Sequence, residues 1–489
     1  MIDLAISLPD SAETPLHDQL YKELRRSIVI GRLSPGQRLP STRYLAESLR
    51  LSRATVIQSF AQLLNEGYLE ARRGSGTYVS AHLPDELDRS LPPEGVERAS
   101  SAVVELSAFA EELRAAVPLE PRVPANAINF RDGRPAFDRF PVETWRKLLA
   151  RHCKASAAML DYTPDPAGHR PLREAIARYL SRARAVRCGA ENIVIVGGSQ
   201  QAIDLTSRLL IDRGDAVAVE DPGYPGARRN FVAQGARLIP IPVDDQGLCV
   251  EQLFERHAHA IRLIYVTPSH QFPTGVTLPL RRRIELLRWA HRAGAIVLED
   301  DYDSAYRYAE RPIPALQGLD EAGCVIYVGT FSKVLFPALR IGYVVVPKAL
   351  VEVFVRAKAY SDRQSPLIEQ YALADFIDEG HFERHVRRMR GLYERRRNAL
   401  IDQLKTAFGT NVAVRGESAG MHLLAKFSIE VPNDELVLRA AREGVSLTNA
   451  QPLYLLGGGE GEFVLGFAEL DEERIAEGVQ RLARAFGAR

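Results

Sequence analysis

At 489 residues the chain exceeds what one ordinary hydrophobic core organises, so a single small domain is excluded and two or more are expected. Hydrophobic residues at 46% and charged residues at 26% fit a soluble globular protein rather than a disordered or fibrous one. The net charge of +1 excludes a uniformly basic or acidic chain and leaves local asymmetry to be read domain by domain.

Cys153, Cys188, Cys249 and Cys324 are scattered without CxxC spacing, which reads as reduced core thiols and argues against a disulfide or a metal site. No signal peptide precedes Pro15 and no apolar run is long enough to cross a bilayer, so a cytoplasmic location and no membrane partner are expected.

From Pro15 to about Arg32, Leu16, Leu20, Leu24 and Ile28 recur every four residues and predict a helix closed by SPG at 34–36. A second helix starts at Ser41 in STRYLAESLRL and a third at Ser52 or Arg53 in SRATVIQSFAQLLNEG, each behind a good capping residue. YLEARRGSGTYVS then offers two β-favouring runs around a Gly-Ser-Gly tip, a hairpin signal. Three helices and a hairpin with arginines at its tip outline a winged helix-turn-helix. Arg38, Arg43, Arg53, Arg72 and Arg73 fall on helix starts and the wing, where one phosphate-lined surface could meet them all. Ser41, Ser52 and Thr55 lie at helix N-termini, where hydroxyls and backbone N–H groups suit phosphate or base-edge contacts as well as capping. The phrases PLHDQLYKELRRSI, GQRLPSTRYLAESL, SRATVIQSFAQL and EGYLEARRGSGTYV resemble the DNA-binding module of the GntR regulators, which implies double-stranded operator DNA as a partner of residues 12–80.

Residues 81–125 are rich in Pro, Ser, Ala and Glu and read as a linker, with one short amphipathic helix expected in VVELSAFAEELRAAV. Beyond it, IVIV (193–196), AVAV (216–219), LIPI (238–241), LIYV (263–266), AIVL (295–298), VIYV (325–328) and YVVV (343–346) are near-continuous apolar runs, as expected for strands buried on both faces. Helical stretches separate most of them, which predicts an α/β domain with a mostly parallel sheet over residues 126–489. Ligands of such sheets bind beyond the strand C-termini.

The segments at those positions carry chemistry. GGSQQAID offers the backbone N–H groups of Gly198, Ser199 and Gln200; EDPGYPGARR offers Tyr224; TPSHQFPTG offers His270 and Gln271; EDDYDSAY offers Asp300 and Tyr302; and TFSKVLFPALRIGY offers Ser332, Lys333 and Arg340. Lysine, unlike arginine, can lose its proton and form a Schiff base with an aldehyde. Pyridoxal 5′-phosphate needs this set: Lys333 for its aldehyde, Asp300 for its ring nitrogen, Tyr302 for its phenolate oxygen, Ser332, Arg340 and the helix N-terminus for its phosphate, and Tyr224 for the face of its ring.

This half resembles the fold type I aminotransferases, with further likeness in YTPDPAGHRPLREAIARYL, and implies a small C-terminal α+β subdomain. The combination resembles the MocR subfamily of GntR-type transcription regulators. That resemblance implies a homodimer in which Tyr162 reaches the partner subunit's cofactor phosphate, and a domain that senses a small-molecule effector. Two departures stand out. Phe272 occupies the place of an asparagine in the related enzymes, passing the phenolate-side contact to Gln271, His270 or Tyr302. Val464 occupies the place of the arginine that binds a substrate carboxylate, and Arg228 or Arg229 is the candidate replacement. The expected function is therefore a regulator sensing an amine, an amino acid or the cofactor itself, without physiological turnover. The alternative is an active aminotransferase carrying a DNA-binding module.

Overall fold

The every-fourth-residue apolar pattern near the N-terminus forms helix α1, Leu16–Val29, whose Leu20, Leu24 and Ile28 are buried. A computed structural model describes residues 15–72, 75–83, 105–115, 126–153, 161–162, 165–256, 261–308 and 313–487. The chain divides into two units, Met1–Arg114 and Ala115–Arg489. The expected 81–125 linker lies outside the described residues at 84–104 and 116–125, and its predicted short helix forms over Ala108–Ala115.

In the first unit α1 packs on α3, Arg53–Asn65, and α2 is Thr42–Leu49. The caps form as the sequence predicts. Ser41 Oγ accepts from Tyr44 N–H at 3.2 Å and Ser52 Oγ from Thr55 N–H at 3.1 Å, each satisfying one of the orphan donors of a helix start. Arg50, in the left-handed region at φ 54°, reverses the chain between α2 and α3. The wing is an antiparallel pair, β1 (Leu69–Arg72) and β2 (Gly76–Val79), with Arg72 opposite Gly76. Val56, Phe60 and Leu63 of α3, Tyr68 and Val79 of the wing, and the α1 leucines share one core.

The second unit opens with β3, Ile128–Asn129. Its main sheet contains β4 (Ile193–Val196), β5 (Ala216–Asp221), β6 (Arg237–Asp244), β7 (Gly247–Leu248), β8 (Ile261–Val266), β9 (Ile296–Asp301), β10 (Val325–Thr330) and β11 (Gly342–Val345), in the order β4-β11-β10-β9-β8-β5-β6-β7. Strands β6, β5, β8, β9 and β10 pair in parallel, β4 runs with them, and β11 and β7 run against their neighbours. Continuous apolar runs became strands buried along their length, because helices cover both faces; β4, β5 and β10 are fully buried. Strand β6 departs from this, its burial alternating beside the short edge strand β7, and β8 exposes Arg262 near its start.

A second sheet, β12 (Val412–Arg415), β13 (His422–Phe427), β15 (Thr448–Asn449) and β16 (Glu462–Gly466), is antiparallel, with β16 between β13 and β15. With the helices His381–Phe408, Asn433–Arg442 and Glu472–Phe486 it makes the C-terminal α+β subdomain. The strand β14, Val445–Ser446, pairs in parallel with β3 and so returns the start of the unit to this subdomain. Among the described residues no helix is long and apolar enough to cross a membrane.

Candidate functional site

Strand ends of the main sheet and the start of the subdomain enclose a cavity of about 290 Å³. Ser199, Gln200, Tyr224, Asp300, Tyr302, Ser332, Lys333 and Arg340 all line it, so most of the sequence-predicted contacts are brought together. Lys333 follows β10, and its Nζ donates to the Gly133 carbonyl at 3.1 Å. Gly133 has φ +73°, and a Cβ there would lie 2.1 Å from that Nζ. A Gly133→Ala variant should therefore displace the lysine amine and strain the turn by about 1–2 kcal/mol. Its thermal midpoint should fall by a few degrees, while an unchanged midpoint would show that the turn relaxes freely.

Asp300, at the end of β9, is 4% exposed. Its Oδ2 accepts from the Tyr265 hydroxyl at 2.7 Å, and its Oδ1 has no partner among the described residues. Burial, only partly offset by the Tyr265 hydrogen bond and the Lys333 charge, raises the carboxyl to about 7. A buried acceptor left open toward a cavity costs stability unless a donor arrives, so this atom fits a ring N–H. Beside it the helix Ser199–Leu210 begins at Gly198, whose φ is +122° and whose missing Cβ leaves room for the Arg340 guanidinium, 3.3 Å from where that Cβ would sit. Arg340 has no ion-pair partner among the described residues. A free guanidinium at a helix N-terminus, with Ser332 alongside, suits a phosphate. Gln200 Nε2 donates to the Tyr224 hydroxyl at 2.8 Å and sets that ring at the cavity wall.

Several predicted positions do not line the cavity. Gln271 is turned inward: its amide donates to the Pro222 carbonyl at 2.8 Å and to the Phe272 carbonyl at 2.6 Å, and its Oε1 accepts from Thr274 Oγ1 at 2.6 Å. It holds the turn rather than a ligand. Arg228 is likewise structural. It is buried, donates to the Leu453 and Glu220 carbonyls, and sits 3.5 Å from Asp221, tying the end of β5 to the C-terminal segment. Arg229 is exposed and outside the lining. Tyr162 is also exposed, at 68%, with the Arg363 guanidinium 5.1 Å from its ring centroid.

Tyr302 lies 3.1 Å from His270 Nδ1, which also contacts both Asp303 oxygens at 3.0 Å. The two departures noted in the sequence meet in one place: Phe272 packs on a cluster of Leu424, Ala450, Leu453 and Val464. Val464, on β16, is fully buried there, so an apolar plug stands where a carboxylate-binding arginine was expected.

On the first unit Arg38, Arg43, Arg53 and Arg72 are exposed, and Arg73 lies outside the described residues. Arg38 bridges to Tyr78 of the wing, and the Arg72 guanidinium lies 4.6 Å from the Tyr78 ring centroid. Arg43 pairs with Glu47 at 3.3 Å on the exposed face of α2. Ser41, Ser52 and Thr55 hydroxyls are engaged in capping, with Ser52 Oγ 2.8 Å from Thr55 Oγ1.

Residues 16–79 match the model of the family described as bacterial regulatory proteins, gntR family, and residues 125–482 match aminotransferase class I and II. The probable rhizopine catabolism regulatory protein MocR of Rhizobium meliloti is 40% identical over 98% of this chain and 95% of its own. This chain belongs to the MocR subfamily of GntR-type regulators. The pyridoxine biosynthesis transcriptional regulator PdxR of Corynebacterium glutamicum is 30% identical over 97% of both chains. Among solved structures, the α-aminoadipate aminotransferase LysN of Thermus thermophilus, complexed with N-(5′-phosphopyridoxyl)-L-leucine, aligns with a TM-score of 0.68 at 32% identity, covering 78% of this chain and 95% of that one. The MocR-type architecture thus joins a DNA-binding helix-turn-helix domain to an aminotransferase fold in one polypeptide.

Sequence reasoning passed over Asp132, Gly133 and Tyr265 as cavity-lining residues of this MocR-type domain. Asp132 and Gly133 do follow a short apolar strand, in INFRDG, and so obey the same strand-end rule that found Lys333. Met421 and His422 belong to SAGMHLL, a stretch that reads from sequence as a small-domain strand close to the pocket with His422 in a structural role, and the second sheet brings both to the cavity.

Proposed function

We propose that this chain is a pyridoxal 5′-phosphate-dependent transcription regulator. Residues 12–80 bind operator DNA, 81–125 link, and 126–489 sense an amine, an amino acid or the cofactor. The observation that carries this reading is one cavity that keeps the Lys333 amine, the open Asp300 oxygen and the free Arg340 guanidinium, while its Phe272 wall is backed by an apolar cluster holding Val464 in place of a carboxylate-binding arginine. The phosphopyridoxyl compound named in the LysN complex and the pyridoxine pathway named for PdxR support the choice of cofactor.

When bound, the cofactor supplies an aldehyde carbon for an amine and a ring that draws electrons away from it. Lys333 presents the amine at the cavity, held by the Gly133 carbonyl. Asp300 would hold a proton at the ring nitrogen through Oδ1, while Tyr265 orients its other oxygen. Arg340, Ser332 and the N–H groups of Ser199 and Gln200 would hold the phosphate, and Tyr224 and Tyr302, which line the same cavity, would hold the ring and its phenolate oxygen. The protein acts as a homodimer, with Tyr162 assigned to the partner subunit's phosphate site. An effector changes DNA affinity only by binding one state of the regulator better than the other. Arg38, Arg43, Arg53, Arg72 and Arg73 contact DNA, with Ser41, Ser52 and Thr55 holding the helix starts against phosphates.

The test is fluorescence anisotropy of the protein on its own upstream DNA, apo and with pyridoxal 5′-phosphate, recording the visible spectrum in the same samples. Visible absorption and specific DNA binding are both expected; absence of either overturns the reading. A change in affinity with cofactor alone makes the cofactor the signal. Arg43→Ala or Arg53→Ala should weaken binding several-fold and lower the salt slope by about 1 without altering the spectrum. Equal affinity across a salt series would remove them from the interface.

A further inference from the structure

The lining not taken by the cofactor contacts includes a wall of Asp132, Gly133, Phe272, Met421 and His422. Among the described lining residues the only cations are Lys333 and Arg340, both assigned above to the cofactor. His422 does not act as a third. Burial, the largest influence, holds its ring down to about 4 despite the nearby Asp303 and Asp132 carboxylates, so it is neutral at physiological pH. Its Nε2 lies 3.2 Å from the Pro273 carbonyl and donates to it, which leaves Nδ1 as a hydrogen-bond acceptor.

Asp132 is half-buried and its carboxylate has no hydrogen-bond or ion-pair partner among the described residues. The other approach to a carboxylate anchor is closed, because Val464 and Phe272 pack together in the apolar cluster, and Arg228 is spent on backbone carbonyls. This wall therefore offers acceptors and apolar surface but no counterion. A ligand carboxylate placed there would lie unpaired beside Asp132, whereas a donor group would satisfy an open acceptor.

We infer that the effector is a primary amine lacking a carboxylate and carrying a second hydrogen-bond-donating group, ammonium or hydroxyl, that Asp132 receives. The inference rests on the regulator reading above and specifies the ligand of that same cavity. One amine end meets the cofactor at Lys333 while the far end meets Asp132, with Phe272 and Met421 against the chain between them. Asp132 accordingly determines specificity by rejecting anions and holding donors.

The full-length protein loaded with pyridoxal 5′-phosphate is titrated with 1,4-diaminobutane, 4-amino-1-butanol and 4-aminobutanoate, following the visible spectrum and, in parallel, DNA anisotropy. The diamine is expected to perturb the spectrum at a concentration at least tenfold below that needed for 4-aminobutanoate, with the amino alcohol between them. In Asp132→Asn the diamine should weaken at least tenfold while the spectrum without amine stays unchanged. If 4-aminobutanoate acts as strongly as the diamine, if no amine acts on the loaded protein, or if Asp132→Asn leaves the ranking intact, the inference is overturned while the cofactor reading survives. Should the protein acquire no visible absorption with pyridoxal 5′-phosphate, the cofactor reading falls and this inference falls with it.

Discussion

Replacing Lys333 by alanine is expected to abolish the visible absorption that pyridoxal 5′-phosphate acquires on the protein and to leave the fold intact. Among the described residues the amine makes a single hydrogen bond, to the Gly133 carbonyl, so its removal costs the structure about 1 kcal/mol. The loss of function should be complete, because no other lysine lines the cavity among the described residues. Lys333→Arg sharpens the test. It keeps the charge and the approximate length but has no nucleophilic nitrogen at any accessible pH, so it too should give no band. Residual binding through Ser332 and Arg340 would appear only as weak, band-free association. An undiminished band in either variant would move the covalent attachment elsewhere.

Asp300→Asn should produce opposite effects on stability and on cofactor affinity. Without cofactor the Asp300 carboxyl sits at about 7, raised from an ordinary 3.8 mainly by burial. The folded state then holds a proton that the unfolded chain has already released. The sign follows: the contribution is fully present below about pH 4 and is lost as pH rises through about 7. At 1.36 kcal/mol per pH unit the upper bound is about 4 kcal/mol, of which about 2 falls between pH 5.5 and 8. Asparagine cannot ionise, so the apo variant should melt several degrees above the apo parent at pH 8, with the gap narrowing toward pH 5.5. With cofactor the ranking reverses. The variant loses the charge-assisted pairing to the ring nitrogen, and its affinity should fall roughly 100-fold. Parallel melting curves across that pH range would show that Asp300 is not the group that titrates, and unchanged affinity would remove it from the cofactor site.

Which parts of the molecule were legible beforehand follows from the range of the forces involved. Helix starts at Ser41 and Ser52 were readable because a hydroxyl and an N–H three residues away are enough to make the cap. The strands were readable because a segment covered on both faces must be apolar at every position, and β4, β5 and β10 are buried throughout. Lys333, Asp300 and Tyr224 were readable because a parallel sheet gathers the residues after its strands. Gln271 and Arg228 sit in equally promising segments, yet their side chains turn to the carbonyls of Pro222, Glu220 and Leu453. Nothing local announces that choice. It is made by buried backbone acceptors contributed by distant parts of the chain, which would otherwise be unsatisfied.

The same division applies to the sensing end of the cavity. Two domains, the winged helix-turn-helix, the parallel sheet and the lysine, aspartate and arginine at its strand ends were all set by local sequence, since each depends on short-range periodicity, capping or a topological rule. Long-range packing was needed to bring Phe272 and Val464, 192 residues apart in sequence, into one apolar plug, and to complete the wall with Asp132 and His422. Those contacts join the large domain to the C-terminal subdomain. Burial and charge there are set by which surfaces meet, and that depends on how β13 and β16 bring their residues to the mouth of the main sheet.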